Sequence, residues 1–113
     1  MTVNINNRAE LFTFAINGDE WTVYLVDIID ENSNIYGQTI YSTNTILLRR
    51  LPYNLMRKTF IHEFTHVWLF ETGRDLDAEQ RFGYEEVCCM YSHMFDNLTN
   101  IMEMFENAIL KED

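Results

Sequence analysis

Pro52 is the only proline in the 113 residues, and the hydrophobic period of the chain changes across it. Before it, apolar residues come in short runs separated by turn-forming residues. After it, they recur every three or four positions. The first pattern belongs to strands and the second to helices, so the expected fold is α+β: a small antiparallel sheet, then a buried helix, then a long C-terminal helix.

In the first half, residues 10–16 read as a strand, and Asn17-Gly18 is a strong signal for a tight hairpin turn. The run from Trp21 to Ile28 reads as the returning strand, and the polar stretch 30–34 as a loop. Gly37–Tyr41 and Thr45–Arg49 read as two more strands joined around Ser42-Thr43-Asn44. In the second half, a helix is expected from Pro52 or Asn54 to Thr72, with Gly73 as its stop. Phe60, Phe64, Val67 and Trp68 form its apolar stripe, widened by Leu55, Ile61 and Phe70. A loop over 74–80 leads to the last helix, about 82–110. Its seam is Val87, Tyr91, Met94, Leu98, Ile101, Phe105 and Ala108. The seam is expected to pack on the sheet and first helix; it also suits a homodimer through the C-terminal helix, against a monomer. Met94, Met102 and Met104 read as core filler.

Composition narrows the function classes. At 47% apolar and 14% aromatic, the chain can bury one core, and one domain over 1–113 is expected. With 18 acidic and 8 basic residues, the net charge of -10 argues against direct nucleic-acid binding, whose affinity comes from Lys and Arg. Arg49, Arg50, Arg57 and Lys58 read as a solvated helix start. No apolar run suits a membrane span, and the first residues do not read as a signal peptide. Cys88 and Cys89 are adjacent and poorly placed to bridge each other, so a cytoplasmic, reducing setting is expected.

The chemistry lies in His62-Glu63-Phe64-Thr65-His66. Residues four apart on a helix share a face, so His62 and His66 can present two imidazole nitrogens to one zinc ion at about 2.0–2.1 Å. Glu63, offset by one position, stands beside the metal, where it can take a proton from a water made acidic by the ion. This is the His-Glu-x-x-His pattern of metallopeptidases. The blander reading makes both histidines ordinary helix residues. A catalytic zinc usually takes a third protein ligand, which must come from downstream. Glu85 and Glu86 open the last helix, where acidic residues also suit the helix dipole. Geometry does not choose between them. His93 is a further candidate, ranked below both. Cys89, one turn after Glu85, is either a small hydrophobe or a group that approaches the metal.

Gly37-Gln38-Thr39, then Ile46-Leu47-Leu48, then Arg57-Lys58-Thr59-Phe60-Ile61 leading into the motif, resembles the ImmA/IrrE-type metallopeptidases, common in bacterial mobile elements and phages. The likeness is strongest over residues 36–95. It implies a minimal zincin-like domain with Zn2+ as cofactor, and a glutamate supplied by the helix after the motif. Reading Glu85 as that ligand puts Cys88, Cys89, Tyr91 and Ser92 at the matching places; Glu86 fits less well. Cys89 is a departure, because an Asp or Asn supporting the zinc is usual there. The resemblance also implies a hydrolase whose substrate is a protein or peptide, often a transcriptional repressor. By analogy with zincins generally, Thr45–Arg49 is expected to align substrate as an added strand. His93, Tyr84 and Tyr91 are the candidates for stabilising the oxyanion.

Two rivals stand beside the peptidase. One is a catalytically silent, metal-stabilised module that binds a host or phage protein. The other is a metal-free interaction protein that dimerises through Tyr91, Met94, Leu98 and Ile101.

Overall fold

The computed structural model describes residues 8–73 and 84–112, the side chains of 84–87 excepted. Four strands, β1 (Ala9–Ile16), β2 (Asp19–Val26), β3 (Gly37–Ile40) and β4 (Thr45–Arg49), precede two helices, α1 (Tyr53–Glu71) and α2 (Tyr84–Glu112). The fold is α+β, a four-stranded sheet with both helices on one face. The expected loop over 74–80 and the start of α2 near Phe82 fall outside the described residues.

The hairpin β1–β2 forms where Asn17-Gly18 predicts it. Both residues take positive φ, 54° and 85°, as a tight two-residue turn requires. Leu11 is the extra residue of a bulge between Glu10 and Phe12.

The sheet is not purely antiparallel, as the sequence suggested, but mixed. Its order is β1-β2-β4-β3, with β2 and β4 parallel and the other pairs antiparallel. The physical reason is burial. Thr45, Ile46, Leu47 and Leu48 are all buried, so β4 is covered on both faces and takes a central place beside β2. The shorter, half-buried β3 is left at the edge. The connection over residues 27–36 crosses the face away from the helices. There Ile29 and Ile35 pack with Val26 and Leu47 in a second apolar cluster.

On the other face, α1 lies over β3 and β4, and α2 over β1. Trp21, Val23, Leu25, Ile46 and Leu48 from the sheet meet Phe60, Phe64, Val67 and Trp68 of α1. From α2 come Met94, Leu98, Ile101, Met102 and Phe105. α1 starts after Pro52, whose carbonyl accepts from the N–H groups of Leu55 and Met56. It ends before Gly73, at φ 76°.

The stripe of α1 is narrower than expected: Leu55 and Phe70 are exposed, Phe70 leaning on Tyr41 at 4.7 Å between ring centroids. Tyr91 of the α2 seam is exposed, and of the three methionines expected as core filler Met94 and Met102 are buried whereas Met104 is exposed. No helix among the described residues is long and apolar enough to cross a membrane.

Candidate metal centre

The apolar face of α1 decides how the motif is presented. Met56, Phe60, Glu63 and Val67 follow one another by four, three and four positions, so Glu63 occupies a slot in the buried register and is 8% exposed. His62 and His66 fall about 100° and 60° away on the wheel, and both are exposed. Their rings stand 5.0 Å apart between centroids and 73° apart in plane. The sequence therefore puts the carboxylate inside and the two imidazoles on the open edge.

Glu63 reaches the sheet at β3. Gly37 and Thr39, two apart on the strand, face α1, since they pair with Leu48 and Ile46, whose side chains are wholly buried under the helices. The Thr39 hydroxyl donates to Glu63 Oε1 at 2.6 Å. A β-carbon at Gly37 would stand 2.5 Å from Thr59 Cγ2 and 3.1 Å from Glu63 Cγ. The bare backbone there is what lets α1 come this close to the edge strand.

Two hollows flank the histidine edge. One, of about 450 Å³, runs between the approach to β3 and α1. It is lined by Asn34, Ile35, Tyr36, Gly37, Leu55, Lys58, Thr59, His62 and Glu63. The other, about 190 Å³, is lined by Thr65, Trp68, Leu69, Met90, Tyr91 and Met94. Thr65 stands three residues after His62 and Leu69 three after His66, so this hollow borders the opposite flank of the same edge.

The donor chemistry fits zinc. Two imidazoles one helix turn apart are an ordinary pair of first zinc ligands, and here their rings are neighbours, 5.0 Å apart between centroids. Among the described residues no group of three or more His, Cys, Asp or Glu side chains is assembled for a metal. His93, Cys88 and Cys89 are exposed on α2, and both cysteines are free. The side chains of Glu85 and Glu86, the leading candidates for a third ligand, lie outside the described residues, as does that of Tyr84. Tyr91 lines the smaller hollow.

One expectation fails. β4 has β2 on one side and β3 on the other, so it has no edge to offer a substrate strand; β3 has. Sequence reasoning also missed the parts played by Gly37 and Thr39. The available signal was their spacing of two on the last strand but one, which puts both on one face.

Comparison with protein-family models, with curated proteins and with solved structures gives no match for this chain.

Proposed function

We propose that this chain is a zinc-dependent peptidase of the minimal zincin type, resembling the ImmA/IrrE-type enzymes. His62 and His66 hold the metal, and Glu63 is the general base. The observation that carries the reading is the division of labour on α1: two imidazoles 5.0 Å apart on the exposed edge, and between them in sequence a carboxylate at the wall of a 450 Å³ cleft.

Glu85 is the proposed third ligand, with Glu86 as its alternative. The contacts between the helices support an origin in the first turn of α2. Phe60 meets Phe105, Trp68 donates to Asn97, and Thr65 and Leu69 line one hollow with Met90 and Tyr91. On the α1 wheel these positions step from the sheet side round toward the histidine edge. The next turn of α2 toward its N-terminus carries Glu85 and Glu86.

When bound, zinc supplies Lewis acidity, bringing the pKa of a water toward about 7 and polarising a carbonyl. The residues do the rest. The Glu63 carboxylate takes a proton from the attacking water and later passes it to the leaving amine. The outer edge of β3, unpaired among the described residues, can take an extended peptide as an added strand, and the two hollows receive side chains on either side of the cleaved bond. By the resemblance, the proposed substrate is a protein, a transcriptional repressor in particular.

Elemental analysis of the purified protein tests the reading. One zinc per chain is expected, lost in His66→Ala and weakened in Glu85→Ala. Glu63→Gln should keep the zinc and abolish cleavage. Wild-type protein without zinc after reconstitution overturns the proposal. Zinc-loaded wild type whose function in cells survives Glu63→Gln points instead to a binding module.

A further inference from the structure

We infer that Thr39 is a positioning residue for Glu63: its hydroxyl pins one carboxylate oxygen so that the other faces the cleft beside His62. The inference rests on the peptidase reading of the same site.

The Thr39 hydroxyl has one proton and two acceptors within reach, Glu63 Oε1 at 2.6 Å and the Glu63 carbonyl at 3.4 Å. The shorter contact is that of a hydroxyl on a carboxylate and takes the proton. Among the described residues Glu63 Oε1 has no other hydrogen-bond donor. Oε2 has none among them, and it is not among the buried polar atoms left without a partner. It stands 3.4 Å from where a β-carbon would sit on Gly37, on the wall of the cleft.

A glutamate has three side-chain torsions, and a general base must reach its proton within about 2.6–3.2 Å. Thr39 restricts that freedom from one side, through the oxygen that is not needed. Gly37 leaves the space in which the other oxygen works. Because Thr39 and Gly37 alternate on one strand face, a single short strand supplies both the clamp and the opening.

The test has two arms. In the zinc-loaded protein acting on a peptide, Thr39→Val should lower kcat by roughly 10–100-fold, with KM within about twofold and zinc content unchanged. Thr39→Ser, which restores the hydroxyl, should stay within about threefold of wild type. The second arm needs no activity. A double-mutant cycle of Thr39→Val and Glu63→Met, read by urea unfolding of the metal-free protein, should depart from additivity by about tenfold in the unfolding constant. Coupling under twofold overturns the proposal, and so does a Thr39→Val enzyme with unchanged kcat. A wild type that cleaves nothing while the coupling stays tenfold overturns the peptidase reading and upholds the clamp.

Discussion

The ring of Phe60 lies flat on that of Phe105, 4.9 Å away between centroids and 6° from parallel. Both are fully buried, and the pair is where the motif helix is fastened to α2. Phe12 of β1 closes the cluster at 5.7 Å from Phe60 and 6.4 Å from Phe105. The stability of the domain and the presentation of the motif thus depend on the same contact.

Phe105→Ala is expected to cost about 3–5 kcal/mol of unfolding free energy, the sum of lost burial and an unfilled cavity. Phe105→Leu, which refills part of the space, should cost less than half of that. Urea unfolding of the three proteins checks it. A loss below about 1 kcal/mol for the alanine variant would mean that α2 is not held through this ring.

Glu71 closes α1 and accepts from the indole N–H of Trp21 at 2.8 Å. Burial pushes its carboxyl above the usual carboxylate range. The Trp21 bond works against that, and Asp19 adds to it. A folded-state pKa above the unfolded one means that the native protein holds this proton more tightly. The contribution is therefore fully present below the unfolded pKa and is lost as pH rises through the folded one. Glu71→Gln keeps an acceptor for Trp21 and removes the charge. It should be more stable than wild type at pH 7, by less than about 1 kcal/mol because solvent screens the open side, and the gap should close toward pH 4. A gap that stays constant between those pH values sinks the account.

Metal binding gives a further expectation on the proposed reading. Zinc at a hundred times its dissociation constant should stabilise the folded state by about 2.7 kcal/mol, raising the Tm by roughly ten degrees. A chelator should reverse the rise. The rise should vanish in His62→Ala and in His66→Ala, because each leaves a single imidazole on the exposed edge. Differential scanning calorimetry with and without zinc decides it, and an equal rise in the histidine variants would place the metal elsewhere.

The legible parts of the sequence were local. Asn17-Gly18 announces its hairpin because few residues tolerate two successive positive φ values, and the observed 54° and 85° agree. The bounds of α1 follow from Pro52 and Gly73, and the pairing of His62 with His66 from helical spacing alone. What stayed hidden depended on partners distant in the chain. The run Thr45–Leu48 reads as a strand, but its place between β2 and β3 follows from burial on both faces. The heptad seam of α2 says which residues share a face, not how far the face is covered, so Tyr91 reads as core and is 58% exposed. Glu63 was half legible. Its place beside the two histidines follows from the motif, but its burial and the Thr39 hydroxyl opposite it come from the fold.

The approach of α1 to β3 can be tested at Gly37 without reference to catalysis. A methyl group there would meet Thr59 Cγ2 at 2.5 Å, closer than any relaxed contact, and Glu63 Cγ at 3.1 Å. Gly37→Ala must therefore push the helix away from the edge strand, at a cost of about 1–3 kcal/mol for overpacking. Thr59→Ser removes the methyl nearest the intrusion. Alone it should change stability little, since Thr59 is only half-buried. Combined with Gly37→Ala, it should recover a large part of the loss. The recovery is specific to this geometry: an alanine that acted only by stiffening the unfolded chain would be indifferent to Thr59. Urea unfolding of the two single variants and the double variant supplies the comparison, and strict additivity would show that the helix and strand are not in contact here.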